Sequence, residues 1–152
     1  MLLKLHGQSV SVMLNNSRLC NVSAEMKILN ASSYFVDLRN APKIKPMDGL
    51  ETTILTGIHG EKMMMVLSVT LPNHAVPVHS HPHEQVGLVY SGKAILRIGD
   101  EERIAKKGDF YCIPANMPHS DVCIGGKPFI MLDIFYPLRE DFIQKLNKQS
   151  QK

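Results

Sequence analysis

Four of the chain's 7 histidines, His74, His79, His81 and His83, crowd into one short stretch, which continues through Glu84 and Gln85. Imidazole nitrogen is a common ligand for first-row divalent metals. In an extended chain successive side chains point to opposite faces, so His79, His81, His83 and Gln85 share one face and Glu84 takes the other. Two imidazoles one strand-step apart can hold one ion, with a third donor where the strand resumes after Pro82. A further donor stands at the end of the run Gly108-Asp109-Phe110-Tyr111-Cys112-Ile113-Pro114-Ala115-Asn116-Met117-Pro118-His119. Exposed histidine-rich loops also bind metals without purpose, so the loop alone does not define a site. The candidate set is His79, His81, Gln85 and His119, with His74 and His83 read as rim or loop residues and His6 and His59 carrying no signal. An ion held by neutral donors keeps its full charge, which favours Lewis-acid chemistry over stabilising a high oxidation state.

Two further residues have chemistry out of keeping with their surroundings. Asp133 interrupts the apolar run Phe129-Ile130-Met131-Leu132-Asp133-Ile134-Phe135-Tyr136, where a buried carboxylate without partners is costly. Its parity places it on the same face as Met131 and Phe135. Arg139 follows Pro137; it either clamps a substrate carboxylate with two hydrogen bonds or pairs with Glu140 or Asp141 on a helix surface. Asp133 is likewise either a proton carrier or a structural hydrogen-bonding residue.

These residues need strands to position them, and the texture from Leu50 onward is all-β. Apolar segments of strand length alternate with turn residues: Thr52–Thr56, Met63–Leu71, Lys93–Ile98, Arg103–Ala105, Ser120–Ile124 and Pro128–Tyr136, with turns at 57–62, 99–102 and Gly125-Gly126. Met63–Leu67 is apolar on both faces, which suits a strand between packed layers or beneath a partner subunit, with methionine as core filler. Pro72–Pro77 reads as a loop. Residues 137–146 read as a turn into a short amphipathic helix packing through Phe142, Ile143 and Leu146. Upstream, Val10–Leu14 and Tyr34–Leu38 read as short strands, and Asn40–Gly49, with Pro42 and Pro46, as a connecting loop. Strands at short spacing without a sustained helix before the end predict a β-sandwich or barrel.

Composition narrows the possibilities further. At 152 residues the chain accommodates one domain and an arm: 1–49 as arm and connecting segment, 50–146 as β-domain with its helix, 147–152 as polar tail. Met26 reads as an ordinary start of translation, so the preceding residues are an arm or an over-extended start. Net charge of +3 argues for neither nucleic acid nor a membrane surface, and no apolar run reaches the ~20 residues of a membrane span. The 3 cysteines, Cys20, Cys112 and Cys123, form no close pair and read as buried thiols of a reducing compartment, the cytoplasm by default.

The residues from about Leu50 to Pro137 resemble the cupins. The first cupin motif has a His-x-His pair, then a glutamate and a glycine; His79-x-His81 and Gly92 meet it, with Gln85 at the glutamate position, and the second has Gly, Pro and His, met by Gly108, Pro114 and His119. Gln85 departs from the usual glutamate. The resemblance implies a conical β-barrel or jelly-roll sandwich, a divalent ion (Ni, Zn, Fe or Mn) and a homodimer whose interface would lie at Met63–Leu67. Together with Asp133, Phe135 and Arg139, the His/Gln set is similar to that of small cupins that open the ring of 4,5-unsaturated uronates in pectin and alginate breakdown. That likeness implies His79, His81, Gln85 and His119 as metal ligands, Asp133, Phe135 and Arg139 as catalytic residues, and a small anionic sugar as substrate. A cupin dioxygenase and a non-catalytic ligand-binding cupin are the competing readings.

Overall fold

The computed structural model describes residues 35–56 and 62–149. The readings of Val10–Leu14 as a strand and 57–62 as a hairpin turn, the start at Met26, and His6, Cys20 and His59 lie outside the described residues, apart from Lys62.

Ten antiparallel strands precede one helix: β1 Lys43–Met47, β2 Leu50–Ile54, β3 Met64–Thr70, β4 Ala75–His79, β5 Glu84–Ser91, β6 Lys93–Ile98, β7 Glu101–Lys106, β8 Phe110–Ile113, β9 His119–Cys123, β10 Phe129–Tyr136 and α1 Glu140–Gln149. They form a six-stranded sheet, β1-β2-β3-β10-β5-β8, and a four-stranded sheet, β4-β9-β6-β7. The all-β expectation holds as a two-sheet sandwich; among the described residues no continuous ladder closes the sheets into a barrel. Gly92 carries the chain from β5 in one sheet to β6 in the other. It sits at φ +80°, and a Cβ there would meet the Pro128 carbonyl oxygen at 2.2 Å, so both conformation and space require glycine.

Strand alternation sorts the interior. Along β10 the burial alternates strictly, with Phe129, Met131, Asp133 and Phe135 buried. Phe129 and Met131 join Val89, Ala94, Ala105, Tyr111, Ile113 and Cys123 in one apolar cluster between the sheets. Phe135 joins Ile44, Ile54, Met64, Val66, Phe142 and Leu146 in a second, which docks α1 beside β1 and β2. Between the clusters lie the buried polar residues Thr52, Ser68, Thr70, Gln85, Asp121 and Asp133.

Four local readings change. Phe35–Leu38 is no strand: Arg39 and Asn40 both donate backbone and side-chain hydrogen bonds to Asp37, closing a turn instead. Within the Asn40–Gly49 segment, Lys43–Met47 forms the edge strand β1. Pro46 is tolerated there because an edge strand has one unpaired side, and the register with β2 shifts between Ile44 and Met47. The same reason lets Pro77 lie within β4, also an edge strand, where a loop was expected. Of the cysteines, Cys123 is buried but Cys112 is exposed, because alternation along β8 puts it on the outer face with Phe110.

Candidate metal centre

β4 and β9 are neighbours, and their register places His79 directly opposite His119. Their rings lie 4.2 Å apart. His81 follows just beyond the end of β4, where its carbonyl accepts the Asn116 amide at 2.8 Å and so ties the histidine loop to the loop leading into β9. One ligand atom from each of His79, His81 and His119 falls within 4.8 Å of the other two. His74 and His83 stay outside this group. His74 is half-buried with its Nδ1 at 3.0 Å from the Pro72 carbonyl, and His83 sits beside the His81 ring at 5.6 Å.

The three imidazoles share a feature that decides their protonation. Each Nδ1 meets a backbone carbonyl: His79 that of Pro77 at 2.9 Å, His81 that of His83 at 2.9 Å, and His119 that of Met117 at 2.8 Å. A carbonyl only accepts, so each neutral ring carries its hydrogen on Nδ1 and leaves Nε2 as a bare lone pair. Burial lowers the pKa of His81, and it lowers that of His119 to about 4, so both rings resist a second proton. Gln85 adds to the set. Its Oε1 lies 3.1 Å from His81 Nε2 while its Nε2 donates to Asp133 Oδ1 at 2.8 Å. With the His81 hydrogen on Nδ1, two acceptors face one another there. Convergent acceptors without a proton among them fit a cation, and the donor set, imidazole nitrogen with a neutral oxygen, suits a divalent transition metal. Glu84, of opposite parity, is exposed as expected.

The group borders a cavity of about 250 Å³ lined also by Asp121, Asp133, Phe135 and Arg139. The Phe135 ring stands edge-on to His81 at 5.5 Å. Arg139 makes a two-pronged pair with Asp141 at 2.8 Å, one of the partners expected for it, and its side chain, 12% exposed, lines the cavity above Phe135 and Phe142. Asp133 is 2% exposed, and its Oδ1 accepts from both Gln85 and Tyr111. Burial raises its pKa, against the hydrogen bonds from Tyr111, Gln85 and Ser68 that lower it.

Two polar residues at the site escaped the sequence reading. Asp121 has the parity of His119 on β9, is buried, and accepts from Thr70 Oγ1 at 3.4 Å. Burial, then the neighbouring Asp133, raises its pKa to about 7. Tyr111, counted only as part of an apolar strand, donates to Asp133 at 2.5 Å. The signal for Asp121 was present: a carboxylate two residues from a histidine ligand candidate on a strand faces the same way.

Residues 66–135 match the family model for the cupin domain, and the two-sheet architecture around them is the cupin fold. The structure superposes with a TM-score of 0.65 on an RmlC-like cupin from Shewanella frigidimarina, 27% identical, over 73% of this chain and 96% of that one. KdgF from Halomonas sp., 23% identical, superposes with a TM-score of 0.63 over 72% of this chain and 99% of its own. The polyketide cyclase RemF from Streptomyces resistomycificus does so at 0.61 with 20% identity, over 68% of this chain and 79% of that one. No curated protein matches the sequence. Neighbours of such different names show that the fold leaves the chemistry to the site. No helix among the described residues is long and apolar enough to cross a membrane.

Proposed function

We propose that this cupin is a metal-dependent enzyme that opens the ring of 4,5-unsaturated monouronates, giving linear 4-deoxy-5-keto uronates. The observation that supports it most is the convergence of three bare imidazole nitrogens and the Gln85 amide oxygen beside a cavity that also holds a guanidinium. A divalent ion bound by His79, His81, His119 and Gln85 would supply Lewis-acid polarisation of a substrate oxygen. The resemblance to uronate-opening cupins points to the same residues.

The reaction is an isomerisation and needs no oxidant. The anomeric hydroxyl loses its proton and becomes the aldehyde as the bond between the anomeric carbon and the ring oxygen breaks, and the resulting enolate becomes a ketone as C4 takes up a proton. Asp133, the carboxylate of the cavity wall that touches Gln85, carries that proton. Arg139 binds the sugar carboxylate through the N–H groups that Asp141 leaves over, and Asp141 aims the guanidinium. Phe135 gives the ring an apolar wall between His81 and Arg139.

Metal analysis of the purified protein, followed by ultraviolet absorbance of unsaturated galacturonate, tests this reading. Metal-loaded protein is expected to remove the conjugated double bond well above the spontaneous rate. Loss at the spontaneous rate would sink the proposal and leave a binding cupin or an oxygenase.

A further inference from the structure

Tyr111 on β8, Gly87 on β5 and Asp133 on β10 stand in one row across three neighbouring strands. Any side chain at position 87 on the inner face would come between the other two. A Cβ there would lie 2.1 Å from Tyr111 Cζ and 2.3 Å from its hydroxyl. Gly87 is not among the residues with positive φ, so its backbone does not call for glycine; the tyrosine does. Through this gap the phenol crosses a whole strand and donates to Asp133 Oδ1, the same oxygen that accepts from Gln85 Nε2.

An amide has two unlike ends of nearly equal size. With its nitrogen on Asp133, the Gln85 oxygen faces His81 and the ligand group. A flip would set an oxygen against the carboxylate, losing the bond to Asp133, and would turn the amide hydrogens toward the imidazole lone pairs, where they would take the place of an ion. The orientation therefore depends on where Asp133 Oδ1 is held. We propose that Tyr111 is a positioning residue of the metal centre, fixing Asp133 so that Gln85 keeps its oxygen turned to the ion, and that Gly87 is the opening it needs. The inference rests on the metal reading above and concerns residues outside the ligand set.

The test is Co²⁺ titration of metal-free protein by calorimetry, with the visible absorption of the Co²⁺ form and a melting curve for each variant. Tyr111→Phe keeps the ring and removes only the hydroxyl. It is expected to weaken Co²⁺ binding by about 10–100-fold, the usual effect of losing a group that orients a ligand, and to change the Co²⁺ spectrum. Gly87→Ala, which displaces the phenol, should act in the same direction. In a Gln85→Ala background Tyr111→Phe should cost nothing more, because no amide remains to orient. Wild-type affinity and spectrum in Tyr111→Phe would overturn the inference alone, as would an equal loss persisting without Gln85. Wild-type protein that takes up no Co²⁺, Ni²⁺ or Zn²⁺ would overturn the metal reading and this inference with it.

Discussion

The interior holds two kinds of region built by one rule. Above and below are apolar clusters, one centred on Phe129 and Met131, the other on Phe135, Val66 and Phe142. Between them runs a polar layer of Gln85, His119, Asp121, Asp133, Ser68 and Thr70. Both arise from the same strand alternation, and β10 contributes to all three. In the apolar clusters any side chain of similar size and shape serves, because packing is non-directional. In the polar layer each buried group needs a named partner, and Asp133 has three: Gln85, Tyr111 and Ser68. The clusters hold the sheets together; the polar layer spends part of that stability on keeping lone pairs aimed at one point.

The largest effect expected from breaking this division falls on turnover. Asp133→Asn keeps size but removes the proton carrier, so kcat with unsaturated galacturonate at saturating metal should drop by roughly 10²–10⁴. A kcat within threefold or so of wild type would return Asp133 to a purely structural role. In the apolar region the measure is stability: Phe129→Ala, at a fully buried position, should lower the unfolding free energy by about 3–5 kcal/mol in urea titrations. His119→Ala is the matching change in the polar layer. It should abolish metal uptake while moving the metal-free midpoint far less, since the imidazole lone pairs gain nothing from one another.

Arg139→Lys should come next. A charged hydrogen bond contributes about 1.5–3 kcal/mol, so losing the fork should raise KM roughly 10–100-fold. An unchanged KM would mean that Arg139 serves only Asp141.

The pH response sharpens the contrast within the polar layer itself. His119 has a folded pKa of about 4, below its ordinary 6.5, so the unfolded chain binds more protons between these values and stability from this residue rises with pH across that window. Asp121 has a folded pKa of about 7, above its ordinary 3.8, so the folded state binds more protons and stability from this residue falls as pH rises through that range. The two slopes oppose one another in metal-free protein. Asp121→Asn should remove the falling one, making stability climb more steeply from pH 4 to 6.5 in urea titrations. An unaltered slope would show that Asp121 titrates as it does in the unfolded chain. The smallest effect belongs to the surface. Lys43 and Glu51 pair at 2.8 Å but are 49% and 38% exposed, so Lys43→Ala should change the melting free energy by no more than about 1 kcal/mol.

Alternation is a property of the local chain, and what depends on it within one element was legible from residues alone: the opposite aims of Glu84 and Gln85, the common face of Asp133 and Phe135, and Phe142, Ile143 and Leu146 packing from α1. The single face expected for His79, His81, His83 and Gln85 does not form, because β4 and β5 belong to different sheets and His83 stays outside the histidine group. Spacing to Pro114 and His119 carried the likeness to cupins. Pairing across strands is not local, and there the sequence stopped. The juxtaposition of His79 and His119 is a register between β4 and β9, distant in sequence. The edge position that admits Pro46 into β1 exists only once the sheet is ordered. Whether Arg139 turned inward or paired with Asp141 depended on an aromatic shelf from β10 and α1, and the folded chain does both. Tyr111 looked like one more apolar strand residue, because a hydroxyl's partner on the second strand away becomes visible only when the glycine between them is in place.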